Sequence, residues 1–154
     1  MDKPGYLRHH TIGDVRRTSY RRQTCSETVS VTEVVGKKAE VYESLIQSTS
    51  CLCHHFTIGY VNRMDGYVYG PDGEQRAIER NRKASDLIES YVHTGDFLIS
   101  SQSEALLQKI MFALRPDEES DLERYERVST ELLALAAELK REATEDLKGA
   151  SGQG

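Results

Sequence analysis

The sequence predicts an α+β fold, with a sheet-bearing first part followed by a helical extension. Three observations point there. Residues 51–70 hold two runs rich in β-branched and aromatic residues, CLCHHFTIGYV and YVYG, separated by a turn containing Asp65-Gly66, a strong hairpin dipeptide. Residues 72–94 carry an apolar stripe at helical spacing. The last third is built of helical starts, stripes and stops.

Composition sets the outer bounds. A chain of 154 residues suits one domain, or one domain with an appendage, and 38% apolar residues support a modest core, although Trp is absent and Phe occurs three times. No apolar run approaches the roughly 18 residues of a membrane helix. MDKPGYLRHH carries no apolar stretch after its charges, so no secretory leader is expected. Three cysteines, two of them separated by one residue, make no disulfide framework. The expectation is an intracellular, reduced protein, cytoplasmic or nuclear.

The net charge of −5 is unevenly spread. Residues 1–23 balance at +4, residues 24–95 at −3 and residues 96–154 at −6. A basic head and an acidic tail suit different partners.

Residues 1–17, with Pro4, Gly5 and Gly13, show no periodicity and read as a flexible basic arm. TSYRRQTC, residues 18–25, reads as a short exposed strand. SETVSVTEVV is ambiguous: Val29, Val31 and Val35 alternate as in a strand, whereas Val31, Val34 and Val35 fit one helical face behind Ser26 as N-cap. After the loop GKKA, the residues Val41, Tyr42, Leu45 and Ile46 line a short helix ending near Ser48. CLCHHFTIGYV and YVYG then form the hairpin strands. Asp72, three residues before Gln75, opens a long helix whose stripe includes Ala84, Ile88, Tyr91 and Val92, with Gly95 as its stop.

In the extension, residues 96–148, Ser101 and Glu104 resemble a capping box, and Pro116 ends that helix and suits the first turn of the next. Acids at 117, 118, 119 and 121 complement a helix N-terminus. Tyr125, Val128, Leu132, Leu135 and Leu139 then step by threes and fours, forming a seam that must fold back on the domain, pair with its own copy or dock on a partner. Residues 149–154, GASGQG, read as a frayed, disordered tail.

The order strand, possible helix, GKKA, helix, strand, turn, strand, long helix resembles a K-homology (KH) domain of the type I arrangement, β-α-α-β-β-α, over residues 18–95. Val34-Val35-Gly36-Lys37-Lys38-Ala39-Glu40 is similar to that family's G-x-x-G loop with its aliphatic and acidic flanks. Ala39 replaces the second glycine. The resemblance implies a single-stranded RNA-binding protein. A glycine loop lets backbone approach phosphate, and twin lysines add charge there. Val34, Val35, Gly36, Lys37, Lys38, Ala39, His54 and Arg63 would form the groove, with Arg21 and Arg22 adding basic charge. The alternative is a degenerate interaction module that assembles a complex, or a homodimer, through its C-terminal helices without nucleic acid.

Other chemistries find less support. Cys51, Cys53, His54 and His55 are packed within five residues, but zinc usually takes its ligands in spaced pairs, and no second pair exists. No nucleophile elbow, Walker loop or HExxH occurs. Neither an enzyme nor a cofactor is expected.

Overall fold

In the computed structural model, residues 30–94 and 97–152 are described. The chain divides into two units, Met1–Val34 and Val35–Gly154. Of the first, the described part is Ser30–Val34, where Ser30 caps a helix: the Glu33 N–H reaches the Ser30 carbonyl at 2.9 Å and the Ser30 hydroxyl at 3.3 Å. The expected arm, the 18–25 strand, Arg21, Arg22, Ser26 and Gly95 lie outside the described residues.

Four helices follow: α1 (Val31–Met64), α2 (Pro71–Thr94), α3 (Ser101–Ala113) and α4 (Asp121–Ser151). No strand occurs among the described residues, which corrects the α+β expectation to an all-α fold. The sheet predicted for residues 51–70 fails for an identifiable reason. Tyr42, Leu45, Thr49, Leu52, Cys53, Phe56 and Gly59 are buried at helical steps, so the stripe begun at Tyr42 passes Ser48 without a break. The β-branched residues at 57, 58 and 61 each cost a helix less than about 0.7 kcal/mol relative to alanine. Burying a side chain of the size of Leu52 or Phe56 contributes roughly 1.5–3 kcal/mol. The helix wins. Thr49 adapts by donating its hydroxyl to the Leu45 carbonyl at 2.8 Å.

Asp65-Gly66 is a helix stop rather than a hairpin turn. Gly66 has φ +69°, its N–H reaches the Arg63 carbonyl, and the Tyr67 N–H reaches the Asn62 carbonyl at 2.8 Å. That pair of bonds is a Schellman cap, which needs the same left-handed glycine that a hairpin turn needs. Tyr67, Val68 and Tyr69 are an exposed connection with no partner strand among the described residues. Pro71 then occupies the first helical position of α2, where its missing N–H costs nothing.

The remaining starts shift only slightly. Ser100, not Ser101, caps α3, accepting from the Ser103 N–H. Pro116 lies in the connection, and Ser120 with Glu123 forms a capping box for α4. The helix α4 runs to Ser151, so residues 149–151 of the tail expected to fray are helical.

Within Val35–Gly154 polar contacts fix the direction of three of the helices. Lys38 and Tyr42, early in α1, meet Asp146 near the end of α4, while His55 in the second half of α1 meets Tyr125 at the start of α4. Similarly, Ser100 at the start of α3 meets Glu142, and Arg127 meets the α3 end at Ala113. Thus α1 and α3 both run antiparallel to α4. The core contains Leu45, Leu52, Ile88, Leu107, Ile110, Leu132 and Leu139. No helix among the described residues is long and apolar enough to cross a membrane.

Candidate functional site

The residues selected from sequence as an RNA groove are not gathered into one place. Residues 34–39 lie inside α1, so the backbone N–H groups of Gly36–Ala39 are engaged in the helix instead of lining a phosphate loop. Gly36 and Ala39 are exposed, and no neighbouring side chain lies near Gly36. Lys37 is exposed, whereas Lys38 pairs with Asp146 at 2.7 Å. Arg63 is on the same helix about 40 Å further along, at 1.5 Å per residue. His54 is exposed on the intervening surface. Most of the C-terminal seam is enclosed within the chain itself. Val128, Leu132 and Leu139 are fully buried, and Tyr125 and Leu135 pack against the same core.

Two polar clusters hold the ends of the α1–α4 pair. At one end, Tyr42 is 1% exposed and donates to Asp146 Oδ2 at 2.5 Å. Its hydroxyl also bonds Ser103 Oγ at 2.9 Å and accepts from the Ser100 N–H at 3.2 Å. Burial, reinforced by the bond to Asp146, pushes the Tyr42 phenol above its ordinary range. Burial also acts to raise Asp146, but the hydrogen bonds from Lys38 and Tyr42 and the Lys38 charge together hold it below the usual carboxylate range. The Tyr42 hydroxyl is committed on every side, so the cluster ties helices together and offers a substrate no opening.

At the other end, the Tyr125 ring lies on Gly59, with the Arg63 guanidinium 3.6 Å from its centroid and the Phe56 ring at 5.0 Å. Tyr125 Oη and His55 Nε2 are 3.3 Å apart. Burial first, then the charges of Arg63 and Arg80, lower the His55 pKa from its usual 6.5. The helix also disperses the CLCHH set: Cys53 is buried, Cys51 and His55 are partly buried one turn apart, and His54 faces solvent.

Beside the Tyr125 cluster lies a groove of about 710 Å³, walled by α1, α2 and α3 and by Arg124 of α4. Leu52, Phe56, Val92, Met111 and Leu114 supply apolar surface, and His55, Arg82, Ser85, Glu89, His93 and Arg115 stand among the polar lining residues. The groove has three arginines against one carboxylate, and Glu89 lies 3.5 Å from His93. Among the described residues, no carboxylate is within ion-pairing distance of Arg82, Arg115 or Arg124. Arg124 donates one terminal nitrogen to the Leu114 carbonyl at 3.1 Å, and Arg127 donates to the carbonyls of Ala113 and Arg115. These two arginines satisfy the open end of α3. Arg124 Nε is buried without a hydrogen-bond partner among the described residues.

Phe112 stands between this groove and a shallower apolar one lined by Ala105, Lys109, Ala134 and Leu135. It is 69% exposed, and Arg115 sits over its ring at 5.6 Å. Sequence reasoning missed Arg82, Phe112, Arg115 and Arg124. The available signal was that Phe112 falls off the buried row of α3, Ser103, Leu106, Leu107, Ile110 and Ala113, yet is large and aromatic. A scan against protein-family models and searches of curated proteins and of solved structures find no match to this chain.

Proposed function

We propose that this chain is a helical protein-binding module whose contact surface is the α1–α2–α3 groove and its Phe112 ridge. The observation that carries the reading is an apolar-floored groove flanked by an exposed aromatic residue and by arginines without ion pairs among the described residues. Aromatic residues and arginine supply most of the energy at protein interfaces, because they bury large areas and bond in several directions at once. The reading keeps the expectation of an interaction module and moves its surface. Most of the seam of α4 is enclosed, so binding falls to the groove side of α3.

The nucleic-acid reading loses the backbone cradle on which it was built, since GKKA belongs to a helix and Lys38 to an ion pair. Peptide-display selection on the full chain tests the proposal. Wild-type protein is expected to enrich peptides that Phe112→Asp fails to retain, with circular dichroism showing both proteins equally folded. Peptides indifferent to Phe112, or no enrichment at all, would refute it.

A further inference from the structure

The geometry points to one class of occupant for this groove: an acidic amphipathic helix of about three turns, with carboxylates on Arg82, Arg115 and Arg124. The inference rests on the protein-binding reading and adds the chemistry of the partner. The groove has the length for it. The α2 wall runs from Arg82 through Ser85 and Glu89 to Val92, about 15 Å at helical rise, which matches roughly three turns of a ligand helix.

The charge is also disposed for it. Helices α2 and α3 pack as neighbours, and Arg82 of α2 lines the same groove as Arg115. The end of α3 carries Arg115 and is capped by Arg124. Three guanidinium groups line the one groove, two of them (Arg115 and Arg124) at the end of α3, and Glu89 is the only carboxylate among the lining residues. The Arg124 guanidinium is only partly buried and makes no ion pair among the described residues, and a carboxylate is the counter-charge that suits it. Leu52, Phe56 and Met111 offer an apolar floor, which a leucine stripe would cover and a sugar–phosphate backbone would leave wet.

Fluorescence polarisation with two helix-forming peptides tests this. Both carry the same leucine stripe, and the flanking positions hold glutamate in one and lysine in the other. The full chain is expected to bind the glutamate peptide at least about tenfold more tightly at low salt, and the gap should narrow as salt rises. Arg82→Glu with Arg115→Glu, at positions where neither guanidinium makes an ion pair among the described residues, should reverse the preference. Mere loss of folding cannot reverse it.

Equal binding of the two peptides, lost in Phe112→Asp, would overturn acid selection while leaving the protein-binding reading intact. Failure of both peptides to bind, although display selection yields groove ligands, would overturn it in the same way. Displacement of the glutamate peptide by a single-stranded oligonucleotide at lower concentration than by unlabelled peptide would assign the arginines to phosphate and overturn the inference. A wild-type dimer in sedimentation that the double substitution dissociates would assign the groove to a second copy, again overturning it.

Discussion

Two glycine-to-alanine substitutions in α1 should change stability in opposite directions. A Cβ on Gly59 would lie 2.5 Å from Cδ1 of Tyr125 and closer still to Cε1. Carbon atoms prefer about 3.5–4.0 Å, so the ring must retreat by more than about 1 Å. It is held by the Arg63 guanidinium at 3.6 Å, by Phe56 at 5.0 Å and by the bond to His55. Overpacking of this kind costs about 1–3 kcal/mol. Disturbing the cation–π and aromatic contacts adds roughly 0.5–1 kcal/mol. Against this stands a helix-propensity gain of about 1 kcal/mol for alanine over glycine. Gly59→Ala is therefore expected to destabilise the protein by about 0.5–3 kcal/mol.

Gly36 has nothing within 4 Å of its would-be Cβ, so Gly36→Ala should keep the propensity gain. It should stabilise the protein by about 0.5–1 kcal/mol. Urea denaturation followed by far-ultraviolet circular dichroism, with the slope unchanged, measures both. If Gly59→Ala matches or exceeds the wild type in stability, the Tyr125 ring does not pack on Gly59 and the reasoning fails.

Three further outcomes rest on the core and its polar ends. Leu132→Ala should cost about 2–5 kcal/mol in the unfolding free energy, because the side chain is fully buried within the chain's own core; a variant of wild-type stability would free the seam for a partner. Asp146 is held below its ordinary 3.8, so its contribution is present above that pH and is lost as pH falls through the lowered value. Lys38→Met should move the acid-unfolding midpoint to higher pH, and an unmoved midpoint would discount the Lys38–Asp146 pair. His55 is also lowered, from 6.5, so the unfolded chain takes up the proton first and stability should decline as pH falls below that value. His55→Gln should flatten this part of the stability profile, and an unchanged slope would place the titration elsewhere.

Local signals and distant contacts divided this fold between them. The starts of α2 and α3 and the stripes of α2, α3 and α4 were legible because caps and periodicity act within a turn or two. Gly66 is the left-handed glycine that its Asp-Gly context suggests, but the same conformation closes a hairpin or ends a helix. The two outcomes differ only in whether the next segment returns to pair with the first, and Tyr67–Tyr69 does not. The run from Cys51 to Val61 misled because its β-branched residues speak for a strand at short range, while Leu52, Phe56 and Gly59 speak for a helix only against the rest of the bundle. Likewise GKKA looks like a loop until the stripe beyond it is seen to be continuous.

By itself, then, the sequence determined the helical last third, the long α2 and the position of the α1–α2 turn, since hydrogen-bond capping and backbone dihedrals are settled by neighbours in the chain. Tertiary structure alone decided that residues 51–61 are helical, that most of the α4 seam is enclosed, and that Arg82, Arg115 and Arg124 line one groove with Phe112. Those outcomes depend on burial between residues far apart in the chain. The free energy of burying an apolar row outweighs local preference only once the surface that covers it is in place.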